Sequence, residues 1–261
     1  MNAIETHDLT KRYNGLTAVD DLTLTIPAGM LYGFIGPNGA GKTTTIRMLA
    51  GLLEPTAGTI LIDGEEITKD SSRARWLVGY MPDFFGVYDE MMAWEYLDFF
   101  ARCYNLPVAR RKSIVDELLH LVDLYDKREA FVETLSRGMK QRLCLAHALV
   151  HDPKILLLDE PASGLDPRAR VEMRELLREL GRMGKTVLIS SHILTELAEM
   201  ADAVAIIEKG KLVASGPVSE IARAARADKL MHIRLLETGD AIVERATAAL
   251  RGYPGVDEVF A

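Results

Sequence analysis

An α/β architecture follows from this sequence: a sheet-forming core, interrupted by a helical insertion and trailed by a small α+β extension. Three features of the chain lead to it. Gly36 to Thr43 reads G-P-N-G-A-G-K-T, which matches the phosphate-loop (P-loop) pattern G-x-x-x-x-G-K-[ST] and lies between a short apolar strand and a helix. Lys154 to Asp159 and Thr186 to Ser190 are continuous apolar runs, as parallel strands covered on both faces require. From about Met91 to Leu149 the character is helical instead.

The elements follow in order. Leu22 to Ile26 alternates with period two before the turn Pro27-Ala28-Gly29, and Met30 to Ile35 is the strand that enters the P-loop. Thr44 to Leu53 follows it as a helix, and Gly58 to Gly64 is a strand bounded by glycines. Trp94 to Tyr104 is a helix rich in aromatic residues, ending before Asn105-Leu106-Pro107. Arg110 to Leu124 places Ile114, Leu118, Leu121 and Val122 on one helical face, and its Arg110-Arg111-Lys112 start reads as a solvated first turn. Val171 to Leu180, with Met173, Leu176, Leu177 and Leu180 inward, is a helix expected to end at Gly181. Ala203 to Glu208 and Lys211 to Ala214 flank Lys209-Gly210 as a hairpin. Beyond Gly216-Pro217 come a helix at Ser219 to Ala227, a strand at Leu230 to Leu236, a helix at Asp240 to Leu250 and a strand beginning at Val256 to Phe260. A unit that small has too little core to stand alone, so it is expected to pack on the main body or a partner. Ending inside a strand-like run is what a cut chain or a pared-down domain would do.

Composition narrows the function classes. With 261 residues, 48% of them apolar, the chain holds one large domain or a main domain with an appendage. A net charge of -7 argues against a nucleic-acid surface as the main business. No apolar run approaches the ~18 residues of a membrane helix, and Asn2 to Lys11 lacks a signal-peptide pattern. Cys103 and Cys144 fit no metal spacing and are expected to be reduced, buried and inert. A soluble intracellular protein is the expectation.

The P-loop supplies the chemistry. Its glycines let successive backbone N–H groups point at one phosphate, and the helix N-terminus adds partial positive charge. Lys42 is placed to reach the terminal phosphates and the Thr43 hydroxyl to sit on a magnesium ion. Ile155 to Glu160 is an apolar strand delivering two carboxylates. Asp159 suits support of the magnesium ion and Glu160 suits taking a proton from an attacking water; an exposed acidic turn is the alternative. Ser190-Ser191-His192 follows another buried strand. His192 either bonds the terminal phosphate or holds the attacking water, or it is structural.

At Leu135-Ser136-Arg137-Gly138-Met139-Lys140-Gln141 the chain resembles the ATP-binding cassette (ABC) family, whose signature motif is L-S-G-G-Q. The resemblance covers about residues 2 to 220, with the motifs in family order. It implies a P-loop ATPase core at about 1–83 and 150–220, a helical subdomain at about 84–149, an ABC domain spanning 1–220 and an extension at 221–261. It implies that Tyr13 stacks on adenine and that Gly36, Pro37, Asn38, Gly39, Ala40, Gly41, Lys42, Thr43 and Thr44 bind the nucleotide. Glu160 and His192 become the catalytic pair, and Ser163 to Asp166 the D-loop. Ser136, Arg137, Gly138 and Met139 form the signature segment, which acts on ATP held by another subunit. The implied cofactors are ATP and Mg2+, with Thr43, Asp83 and Asp159 around the metal. The implied partners are a second copy or a paralogous ATPase, closing head to tail, and an integral membrane permease on whose cytoplasmic face the chain sits; no nucleic acid is expected.

Two departures from the family pattern matter. Asp83 stands where the Q-loop carries glutamine, offering magnesium a shorter, charged oxygen. Arg137 stands where the second signature residue is glycine, either beside the partner's nucleotide or at the solvent rim. The apolar stretch Phe84-Phe85-Gly86-Val87-Tyr88, with Met91, Met92 and Trp94, is core or, by resemblance, part of the groove that receives a helix of the membrane subunit. Glu95 to Ala101 and the extension look most like the ATPases of ABC-2-type exporters. The competing readings are a soluble ABC ATPase of translation or DNA repair and an ATP-binding regulator that does not hydrolyse. A nucleoside kinase or GTPase is disfavoured, since the L-S-x-G segment has no role there.

Overall fold

The computed structural model describes residues 1–67, 76–83, 86, 88, 90–227, 233, 235, 239–253 and 259. It divides into a unit of Met1–Ala222 and a unit of Arg223–Ala261.

In the first unit β3 (Leu31–Ile35) is the middle of a parallel sheet. It pairs with β8 (Thr186–Ser191) on one side and β9 (Ala203–Glu208) on the other. Then β7 (Ile155–Leu158) and β6 (Val78–Met81) extend the sheet beyond β8, and β10 (Lys211–Pro217) closes the far edge antiparallel to β9. Every residue of β3, β7 and β8 is buried. Successive residues serve opposite faces. Leu156, Leu158, Val187 and Ile189 join one apolar cluster, whereas Ile155, Leu157 and Leu188 join the other. That two-sided burial is why these strands read as unbroken apolar runs, and each fully buried Leu or Ile contributes about 1.5–3 kcal/mol.

The second cluster is roofed by α1 (Lys42–Leu49) and by an antiparallel sheet of β2 (Leu16–Pro27), β1 (Asn2–Tyr13), β4 (Ala57–Ile62) and the short β5 (Glu65–Glu66), in that order. The β1–β2 register shifts between Thr6 and Leu9 and again before Lys11, with left-handed φ at Asp8 (52°) and Asp21 (56°). These irregularities break the period-two pattern and hide β1 in the sequence. The helix after the P-loop stops at Leu49 rather than Leu53. Gly51 takes φ 68°, its N–H donates to Met48 O at 3.0 Å, and Leu52 N–H donates back to Arg47 O at 2.9 Å, a Schellman closure.

The first cluster is covered by α2 (Ala93–Cys103), α3 (Val108–Leu121), α4 (Arg137–Leu149) and α5 (Pro167–Arg182). Met173, Leu176, Leu177 and Leu180 of α5 face inward as expected, and the helix runs through Gly181 to Arg182. Two expectations are corrected here. Arg111 is not a solvated first-turn residue: its side chain is 14% exposed and pairs with Asp98 at 3.6 Å, joining α3 to α2. Cys103 is exposed at the end of α2, whereas Cys144 is buried and desolvation pushes its thiol up to about 12. After β8 comes the short α6 (Leu194–Ala198), tied to α5 by the pair Arg170–Glu196 at 3.0 Å and by Arg174–Glu199.

α7 (Val218–Ala227) leads out of the first unit, and α8 (Asp240–Arg251) lies in the second. The strands expected at Leu230–Leu236 and Val256–Phe260 fall, but for isolated positions, outside the described residues, as do Phe84, Phe85 and Val87. Among the described residues no helix is long and apolar enough to cross a membrane.

Candidate functional site

The P-loop leaves the C-terminal end of β3 and is fixed to its neighbours by backbone bonds. Gly36 N–H donates to Ser191 O at 3.2 Å and Gly210 N–H to Ala40 O at 2.9 Å. The loop is wedged so tightly that a Cβ on Gly36 would strike the Ile207 carbonyl. Gly41, the N-cap of α1, has φ 106°, and a Cβ there would lie 2.5 Å from Ala18 O. Neither position accepts another residue without moving the backbone.

Lys42 opens α1 with a buried side chain that curls back over the loop. Its Nζ donates to Gly36 O at 2.7 Å and Pro37 O at 3.3 Å, and stands 3.3 Å from Glu160 Oε1. Thr43 and Thr44 follow, partly exposed, in a first turn free of acidic residues. The turn thus brings a cation and a row of N–H groups and no acidic residue of its own, which suits a phosphate chain.

The two carboxylates arrive from β7. Asp159 is 1% exposed, and its N–H donates to Met81 O at 2.9 Å. Its Oδ1 accepts from Ser190 Oγ at 2.6 Å, and its Oδ2 is buried without a partner among the described residues. Glu160 follows in the left-handed region at φ 50° and donates its N–H to the same Ser190 Oγ at 2.9 Å. Its other oxygen meets His192 Nδ1 at 3.0 Å. Glu160 is therefore gripped at three points: Lys42, His192 and, through its backbone, Ser190. A non-glycine residue in this conformation costs of order 1 kcal/mol, and such strain persists where the surroundings over-determine it.

Lys42, Asp159, Glu160 and His192, expected separately from the sequence, meet beyond the C-terminal ends of β3, β7 and β8. Ser190 does not figure among the expected site residues, though it binds both carboxylate positions at once. Its signal was the polar S-S-H at the end of an apolar run.

The donors fit magnesium. Thr43 and Asp159 offer oxygen only, and the unpartnered Asp159 Oδ2 is what a hard cation or its water would satisfy. Among the described residues no three His, Cys, Asp or Glu side chains form a metal-holding group, so an ion here would also need hydroxyl, water and phosphate oxygens. Asp83 is exposed, two residues beyond the end of β6. Burial raises its carboxyl above the usual range, Asp159 and Glu160 add to that, and Arg137 and Lys42 oppose it. It stands in the field of the cluster.

The signature segment starts α4. Ser136 is the N-cap, and its Oγ accepts from Met139 N–H at 3.3 Å. Gly138 backs onto α5, where a Cβ would meet Ala169 Cβ at 3.1 Å. Asp166 is the N-cap of α5, accepting from Arg168 and Ala169 N–H, both at 3.0 Å. Arg137 turns onto its own chain and donates from Nη2 to Ser163 O at 3.1 Å. Tyr13, 42% exposed at the end of β1, carries Lys11 Nζ 5.3 Å from its ring centre.

A parallel sheet with a P-loop after its central strand β3 and two carboxylates after β7, one strand removed across β8, defines a P-loop nucleoside triphosphatase. A family model described as ABC transporter matches residues 19–163. A Nod factor export ATP-binding protein I from Burkholderia lata is 43% identical over 213 residues, 82% of this chain and 70% of that protein. The bacitracin transport ATP-binding protein BcrA of Bacillus licheniformis is 41% identical over 241 residues, 92% of this chain and 77% of its own length. A solved ATP-binding subunit of an ABC transporter superposes with TM-score 0.76 at 31% identity, covering 86% of this chain and 93% of that one. The chain belongs to the ABC transporter family and is an ATPase subunit of it.

Proposed function

We propose that this chain drives an exporter: two copies, or one copy and a paralogue, close head to tail on ATP and pass the motion to a separate membrane permease on the cytoplasmic side. The relative named for Nod factor export supports the direction, and the one named for bacitracin transport supports a transport role. In this reading residues 1–220 are the ATPase domain, with a helical subdomain at about 84–149, and 221–261 is an appendage.

The observation that carries the hydrolytic reading is the three-point grip on Glu160. Gly36 to Thr44 hold the triphosphate by backbone N–H groups and Lys42, and Tyr13 stacks on the base. Thr43, Asp159 and Asp83 hold Mg2+, which when bound screens phosphate charge. Once Lys42 engages a phosphate its pair with Glu160 weakens, and Glu160, oriented by His192 and Ser190, accepts the proton of the attacking water. Ser136 to Met139 of the opposite copy complete the pocket, and Asp166 stays the cap that shapes the D-loop. Tyr88, 53% exposed and packed edge-on to Phe99, lies with Met91, Met92 and Trp94 beside the loop; this cluster supports docking of a permease helix.

Magnesium-dependent ATPase of the full chain tests the reading. Glu160→Gln keeps the shape and removes the base, so nucleotide binding is expected to survive while turnover falls by at least about 100-fold. Turnover in Glu160→Gln equal to that of the parent chain would sink the assignment.

A further inference from the structure

Arg137 and Gln141 lie one turn apart on α4 and face the same side of the helix. Arg137 Nη2 and Gln141 Nε2 both donate to the Ser163 carbonyl, each at 3.1 Å. That oxygen has two lone pairs, and one helix face supplies a donor for each. The next residue, Gly164, sits at φ 66° with the Arg137 guanidinium directly against it: a Cβ on Gly164 would collide with Cζ and both terminal nitrogens. Glycine is the residue that lets the turn and the guanidinium share this space. The turn's own bonds are few. Ser163 N–H donates to Glu160 O at 2.9 Å, and Leu165 N–H to Ala162 O at 3.4 Å. It therefore begins on Glu160 and runs directly into Asp166, the cap of α5.

We propose that Arg137 is a positioning residue that, with Gln141, clamps the Ser163–Gly164 peptide to α4 within one protomer, so that signature segment and D-loop move as one piece against Glu160. The inference rests on the reading of the site as a shared ATPase site. A planar peptide directs its C=O and N–H oppositely, so the clamp also aims the Gly164 N–H away from α4. The same cation acts on Asp83, offsetting part of the pull that burial, Asp159 and Glu160 exert on its proton. Arg137 and Asp83 thus lie in each other's field.

The test compares the full chain with Arg137→Gly, Arg137→Lys, Gly164→Ala and the double variant Arg137→Gly/Gly164→Ala. Amide hydrogen exchange without nucleotide and steady-state ATPase are measured on each. Arg137→Gly is expected to speed exchange at Ser163 and Leu165 by about tenfold, the scale of one lost hydrogen bond. Its kcat falls by about tenfold with KM for ATP nearly unchanged, at an unaltered melting temperature. Lysine, which reaches the carbonyl with one donor but has no flat group to lay on Gly164, recovers part of kcat. Gly164→Ala does less damage in the Arg137→Gly background, where the collision is gone. Unchanged exchange in Arg137→Gly overturns the clamp, as does unchanged kcat in a chain whose parent hydrolyses ATP. A loss of kcat that only follows a lower melting temperature, with no recovery by lysine, overturns it too. A parent chain without ATPase activity sinks the functional reading instead, and the exchange result then decides the clamp alone.

Discussion

Ser190 is fully buried beneath the two carboxylates, and Ser190→Ala removes one hydroxyl and little else. Asp159 Oδ1 loses its 2.6 Å donor beside an oxygen that already has no partner, and the Glu160 N–H loses its 2.9 Å acceptor. A hydrogen bond to a charged group contributes about 1.5–3 kcal/mol and an orphaned buried amide costs about 1–3 kcal/mol, so a loss of about 3 kcal/mol is expected after partial relaxation. For a unit of this size that lowers the melting temperature by about 6–12 °C. The catalytic consequence is separate. Glu160 keeps its side-chain partners but loses the anchor of a strained backbone, so kcat at a temperature well below melting falls by about tenfold while ATP affinity stays within about twofold. Ser191→Ala is the control: its hydroxyl accepts from Ile193 N–H at 3.0 Å and touches neither carboxylate. Thermal melts followed by circular dichroism and steady-state ATPase on both variants are sufficient. If Ser190→Ala melts within about 2 °C of the parent and keeps its kcat, Ser190 does not organise the site.

Other perturbations probe neighbouring parts. Lys42→Met removes the cation that spans the loop and Glu160; ATP affinity by equilibrium binding is expected to fall at least about tenfold, and unchanged affinity would remove Lys42 from the phosphate site. Asp83→Ala should weaken the magnesium dependence of ATPase activity, and an unchanged magnesium titration would exclude Asp83 as a ligand. His147 and His151 stack on Phe100 and Tyr104 with ring centres 3.5 and 3.9 Å apart, and burial lowers each from 6.5 to about 4. Their folded values lie below the unfolded one, so the stabilisation is complete above about pH 6.5 and is lost as pH falls toward 4, on the order of 3 kcal/mol for His147 alone. Urea midpoints across that window should decline, and His147→Phe should flatten the decline; an unaltered slope would contradict the assignment.

The parts of this fold governed by local chemistry are visible in the sequence. The P-loop needs glycine at Gly36 and Gly41 for reasons of backbone space, and β7 and β8 show two-sided burial as unbroken apolar runs. What depends on distant partners is not visible. Of the antiparallel roof, β2 and β4 show in part as strand-like runs, but β1 hides because it shifts register at Asp8 and its pairing with both is decided by tertiary contacts. Arg111 looks solvated in a basic trio until Asp98 of the preceding helix is set beside it. Ser190 ends an apolar run without advertising its two partners, 30 and 31 residues away. Arg137 is conspicuous as a departure, but its target Ser163 is 26 residues further on and follows no local pattern.

In the proposed dimer each site is shared, with Lys42 and Glu160 on one copy and Ser136 on the other. Mixing two inactive variants tests it. Lys42→Met disables the P-loop half and Ser136→Arg the signature half, so each alone should lack activity. In a head-to-tail mixture half of the dimers hold one variant of each kind, and one of their two sites combines an intact P-loop with an intact signature segment. ATPase should therefore return to about a quarter of the parent value. A mixture as inactive as its components would contradict the shared site.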